Sequence, residues 1–132
     1  MKVLNAAGRF SEARSVGEKA IGRDNIPTLV AQTVVADIGL DDPESAQARI
    51  NKGLVDFPDD PDILRASRDL NVSTENWDEV IRVCLIISNR YPEDRETRLI
   101  LADAYMKTGK PEEANGIYDE LQQAADMPKV DD

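Results

Sequence analysis

The chain has 132 residues, the length of one small domain, with 26 acidic and 16 basic side chains, one cysteine and no histidine. Without histidine there is no Ser-His or Cys-His nucleophile pair and no imidazole metal ligand, and one thiol excludes an intrachain disulfide or a multi-thiolate zinc site. A net charge of −10 opposes binding to nucleic acid or to an anionic membrane surface.

Apolar residues make up 41% of the chain, enough for a core, so the composition describes a binding or scaffold domain rather than an enzyme, with no cofactor and no metal expected. The stretch Met1–Arg9 lacks the apolar run of a signal-peptide core, and no segment approaches the roughly 18 apolar residues of a membrane span, so no direct membrane insertion is expected.

Residues 1–26 are the basic end of the chain, at +2, against −12 for 27–132. Their apolar spacing predicts a helix over 9–23. Helices follow over 28–40 and 43–57, the second started by Asp42-Pro43-Glu44 and stopped by Phe57-Pro58, because the residue before proline avoids the α region. Asp60 is placed to cap a helix from Pro61 over 61–73. Asn76, with Glu79 three residues on, has the spacing of a capping box for a helix over 76–90, which Tyr91-Pro92 ends. Leu99, Leu101, Ala102, Tyr105 and Met106 recur at helical spacing over 95–108, until Thr108-Gly109-Lys110 breaks the run. Pro111 then opens a last helix over 111–124, with Glu112 and Glu113 near its N-terminus and Ala114, Ile117, Tyr118 and Leu121 along one face.

These elements repeat. Pro27 and Pro61 are 34 residues apart, as are Pro58 and Pro92, and Pro43, Trp77 and Pro111 form a third column at the same step. Ala46/Val80/Ala114, Ile50/Cys84/Tyr118, Gly53/Ile87/Leu121 and Ala36/Leu70/Ala104 extend the register through the apolar positions. The chain therefore divides into a partial unit over 1–26, mainly its second helix, then units over 27–60, 61–94 and 95–125, and a short acidic tail over 126–132. The step from Ala13 to Ala46 is one residue shorter than the others.

A two-helix unit of 34 residues resembles the tetratricopeptide repeat, most closely over Arg95–Pro128, where Ala102, Tyr105, Gly109, Ala114 and Tyr118 match that family's small, aromatic and turn positions. Gly8, Phe10, Ala13, Val16 and Ala20 match in the partial unit, while Val34 and Arg68 replace the small residue, and Asp37 and Asn71 the tyrosine, in the middle units. The resemblance implies an all-α fold, a right-handed α-solenoid of antiparallel helix pairs. Its raw ends read as a fragment of a longer array, with weak self-association through them.

The resemblance also implies an inner groove lined by the first helix of each unit. Its exposed positions are Thr28, Ala31, Val35 and Ile38, then Asp62, Arg65, Asp69 and Val72, then Glu96, Leu99, Asp103, Met106 and Lys107. Arg65, Asp69, Val72, Leu99, Asp103, Met106 and Lys107 are the partner-binding candidates, suited to a basic or amphipathic segment. The carboxylate clamp of the chaperone-binding members is missing, since Ala31, Val35, Glu96 and Ile100 stand in its places. Other features have structural readings. The acidic runs Asp41-Asp42, Asp56–Asp62 and Glu93-Asp94 lack the calcium-loop pattern and read as turns and caps, Cys84 as a buried small hydrophobe, and Trp77 as a residue packed between helices.

The function expected is a non-catalytic scaffold that docks another protein. Its connections are similar in style to bacterial envelope repeat proteins, which suggests a periplasmic exopolysaccharide-secretion scaffold near the outer membrane, with a polysaccharide-modifying enzyme or a secretion component as partner. A cytoplasmic chaperone or regulatory adaptor holding a peptide in the groove, and a helper domain of a larger enzyme, remain the alternatives.

Overall fold

The computed structural model describes residues 6–126, which form α1 (Ala6–Arg23), α2 (Pro27–Gly39), α3 (Pro43–Asp56), α4 (Pro61–Ser73), α5 (Trp77–Arg90), α6 (Arg95–Lys107) and α7 (Pro111–Asp126). The described residues contain no strand, so the fold is all-α. The acidic tail expected over 126–132 lies outside the described residues, apart from Asp126, which closes α7.

Local chemistry sets these boundaries. Proline occupies the first turn of α2, α3 and α4, where its missing N–H is no loss. Asp42 accepts a capping bond from the Ser45 amide at 3.2 Å, Asp60 from the Asp62 and Ile63 amides at 2.9 and 3.1 Å, and Asp94 from the Thr97 amide at 3.1 Å. The capping box expected at Asn76 does not form. Asn76 stands at the cap position of α5, but its side chain makes no capping bond. Glu79, which had to reach back to it, instead accepts from Arg82 Nε at 2.9 and 3.1 Å and from its terminal nitrogen at 2.9 Å. A forked, charge-assisted pair within the helix outcompetes a single bond to a backbone amide.

The 34-residue step recurs in the backbone itself. Leu40, Thr74 and Thr108 close α2, α4 and α6 with nearly identical dihedrals, and the next residue in each case turns left-handed: Asp41 at φ 54°, Glu75 at 56° and Gly109 at 77°. Their amides donate to Ile38, Val72 and Met106, and the bonds Asp42 N–H to Asp37 O (3.0 Å) and Lys110 N–H to Tyr105 O (2.8 Å) complete the double closure of a Schellman turn. At the far end of the second helices the Phe57 and Tyr91 amides both donate at 2.7 Å, to Gly53 and Ile87, while their carbonyls accept from the Asp60 and Asp94 amides.

The described residues fall into two compact units divided after Glu75, between α4 and α5. In the first, α1 packs on α2, α2 on α3 and α4, and α3 on α4. Val30, Val34, Ala46, Ile50, Ile63, Ala66 and Leu70 form its core, with Ile21, Leu54 and Phe57 packed against it. Three glycines allow close approach: a Cβ on Gly17 would stand 2.1 Å from Thr33 Oγ1, one on Gly39 2.5 Å from the Phe10 ring, and one on Gly53 2.9 Å from Ile63 Cδ1. A buried carboxylate ties three of these helices together. Asp37 of α2, fully buried, accepts from Arg49 of α3 at 2.6 and 3.2 Å and from Arg14 of α1 at 3.4 Å. Arg14 also bonds Asp42 at 2.7 Å, and Arg49 bonds Glu18 at 2.7 Å.

In the second unit α6 packs against both α5 and α7. Val80, Val83, Cys84 and Ile87 of α5, Leu101, Ala102 and Ala104 of α6, and Ala114 of α7 are buried. Cys84 is thus the buried hydrophobe its column predicts. Trp77 is half-buried, with the Lys107 ammonium 5.9 Å from its ring centroid.

Candidate functional site

The outward faces of α2, α4 and α6 carry the residues that the sequence nominates for binding a partner. Helix geometry dictates which these are, because positions spaced by three or four residues share a face, and the opposite face is spent on the core. In the first unit α2 and α4 lie side by side, and the Thr28 hydroxyl donates at 3.3 Å to Asp62, its counterpart one 34-residue step later. That bond fixes the register, so Ala31, Val35 and Ile38 on α2 run beside Arg65, Asp69 and Val72 on α4. Val35 is 53% exposed in spite of its apolar side chain. Asp62 pairs with Arg65 at 3.8 Å, and Asp69 accepts from Arg68 Nε at 2.9 Å while staying half exposed to solvent.

In the second unit Leu99, Asp103, Met106 and Lys107 share one exposed face of α6. Leu99 and Met106 are 47% and 49% exposed, a degree of exposure that puts apolar anchors in the solvent. Leu99 and Leu121 line a shallow groove of about 370 Å³ between α6 and α7, bordered by Arg95, Glu96 and Gln122. Asp103 accepts a hydrogen bond of 2.5 Å from the Tyr118 hydroxyl of α7. The carboxylate at its side raises the Tyr118 pKa above the ordinary phenol value, since losing the proton would sacrifice that bond and set two anions together.

The structure therefore brings Arg65, Asp69 and Val72 together on α4, and Leu99, Asp103, Met106 and Lys107 together on α6. Sequence reasoning missed the partners that fix two of these side chains: Tyr118 for Asp103 and Trp77 for Lys107. The 34-residue columns compare equivalent positions in successive repeats, whereas these contacts join different columns, within one repeat for Tyr118 and Asp103 and across two for Trp77 and Lys107.

The acidic runs do the work of turns and caps. Asp42, Asp60 and Asp94 cap helices, and Asp41 and Asp59 take left-handed turn positions. Among the described residues no three acidic or thiol side chains converge as a metal site would require, and no helix is long and apolar enough to cross a membrane. No protein-family model matches the chain, and no curated protein matches it either.

Proposed function

We propose that this protein is a non-catalytic protein-interaction module of the tetratricopeptide type, a solenoid that docks its partner on the face formed by the first helices of its repeats. The observation that carries this reading is made in each unit by itself: Val35 is exposed on α2 beside Arg65 and Asp69 of α4 in the first, and Leu99 and Met106 are exposed on α6 with Asp103 and Lys107 in the second. Apolar anchors within a charged rim supply affinity through burial, while the charges set orientation and on-rate. A segment with basic side chains beside an apolar anchor complements such a surface.

The test is photocrosslinking from two faces. A photoreactive amino acid replaces Val35 or Leu99 on the first helices, or Val55 or Leu85 on the second helices; all four positions are exposed, so the fold is not at issue. The partner is expected to crosslink from Val35 and Leu99, and to bind the Asp69→Lys, Asp103→Lys variant about tenfold or more weakly in a calorimetric titration. Tyr118→Phe serves as control for the lost Asp103 bond. Crosslinks confined to Val55 and Leu85, with affinity unchanged by the charge reversal, would reject this face in favour of the second-helix surface.

A further inference from the structure

The helices α2 and α4 run side by side from the Thr28–Asp62 bond near their starts to a pocket of about 180 Å³ between their ends. Its walls all come from residues 38–74, inside the first unit. Ile38 of α2, Leu70 of α4 and Pro43, which opens α3, make its apolar part.

The polar part is of one kind. The Ser73 hydroxyl donates to the Leu70 carbonyl at 2.6 Å, and the Thr74 hydroxyl donates to the Leu70 and Asn71 carbonyls at 3.2 and 3.4 Å. With their protons so engaged, both hydroxyls have only lone pairs left to offer. Asp42 is matched by Arg14 at 2.7 Å, and Arg14 is shared with the buried Asp37. Asp41 is not matched, since its carboxylate is exposed and makes no hydrogen bond or ion pair with the described residues. Every polar side chain lining the pocket is thus an acceptor, and none of the lining residues is basic. Two helices end beside it, and the partial negative charge of a helix C-terminus also favours a cation.

The second unit shows a cation in the matching place. One 34-residue step carries Pro43 to Trp77 and Ser73 to Lys107. There the Lys107 ammonium reaches back from the end of α6 to lie 5.9 Å from the Trp77 ring centroid, at the start of α5. In the first unit the short Ser73 side chain reaches no such position, and the pocket between Ser73 and Pro43 stays open.

We propose that this pocket seats a lysine side chain of the docked partner. Its methylene stem lies on Ile38, Pro43 and Leu70, and its ammonium, with three donors and no acceptor, meets Asp41 and the hydroxyl oxygens of Ser73 and Thr74. The seat rests on the reading of the first-helix face as the docking surface, because Ile38 belongs to that face, one turn beyond the exposed Val35.

The probe is N-acetyl-leucyl-lysine amide, titrated into the full chain and followed by the backbone amide NMR signals, with the leucyl-norleucine dipeptide as the equally long, uncharged comparison. The lysine dipeptide is expected to shift the Asp41, Ser73 and Thr74 signals saturably and to bind about threefold or more tightly than the norleucine one, the range of an exposed ion pair. Asp41→Asn, which keeps a residue that tolerates the left-handed turn, should make the two dipeptides bind alike. Ser73→Lys, which sets the chain's own ammonium where Lys107 has its counterpart, should abolish binding of the lysine dipeptide, while Ser73→Ala should keep it. Both positions are exposed, so the fold is not at issue. No saturable shift up to tens of millimolar, equal binding of the two dipeptides to the unaltered chain, or lysine binding indifferent to Asp41→Asn and Ser73→Lys would overturn the proposal. The same signals shifting with protein concentration alone, and not with the dipeptide, would also overturn it, by giving the pocket to a second copy of the chain. The docking face itself is judged by the Val35 and Leu99 crosslinks, so it can stand while the lysine seat fails.

Discussion

Asp41, Glu75 and Gly109 occupy the same left-handed turn position, yet only the last is a glycine. An L side chain in this region costs about 1–2 kcal/mol, part of which glycine gives back through the greater freedom of the unfolded chain. Glu75→Gly is therefore expected to raise stability by about 0.5–1 kcal/mol, and Gly109→Ala to lower it by about 1 kcal/mol, both read by urea unfolding. Stabilities that move in the opposite senses would mean that the turn is not under strain at φ 56°. Asp42 gives a second prediction at this scale. Hydrogen bonds from the Ser45 hydroxyl and from Arg14, with the Ser45 amide, hold its carboxyl below the ordinary range. The folded state thus binds this proton more weakly than the unfolded chain. The resulting stabilisation is complete above the unfolded carboxylate pKa of about 4 and fades as pH falls below it. Asp42→Asn should flatten the acid limb of a stability–pH profile in that window, and a limb of unchanged slope would assign it to other carboxylates.

Helix starts and stops were legible because proline and aspartate act locally. Pro27, Pro43, Pro61 and Pro111 begin the helices they mark, and Asp42 and Asp60 cap where the sequence places them. The failure at Asn76 is instructive, because its capping box needed Glu79, and a competitor for Glu79, Arg82, lay one turn away. Asp37 was legible only as a replacement for an aromatic residue. Its role as a buried anion between Arg14 and Arg49 depends on three helices meeting, and each pairing lies beyond the reach of helical spacing. On the candidate surface, the exposure of Leu99 and Met106 followed from what the family resemblance implies, whereas the Tyr118–Asp103 bond did not. Ala114 tests the register at the scale of an element. It is fully buried at the small-residue column, so Ala114→Arg is expected to cost about 3–5 kcal/mol, while Asn115→Arg, one exposed position on, stays within about 0.5 kcal/mol. Similar thermal melts for the two variants would mean that the packing face of α7 is misassigned.

Charge acts on the molecule as a whole. The net charge of −10 makes self-repulsion a destabilising term, and salt shortens its range from about 30 Å at 0.01 M to about 8 Å at 0.15 M ionic strength. Over that range the melting temperature is expected to rise. A fall would show that local pairs such as Arg82–Glu79 and Arg98–Glu120 outweigh the repulsion. The pattern of helix contacts has a consequence in time. Within each unit a helix packs on its neighbour in sequence or on the next but one, so that α2 and α4, joined by the Thr28–Asp62 bond across 34 residues, form one of the longest closures the core demands. Chains built from such local closures refold in microseconds to milliseconds, because little loop entropy is lost before contacts form. After dilution from urea the native helical signal should accordingly return within milliseconds, at the speed of neighbouring helices finding one another.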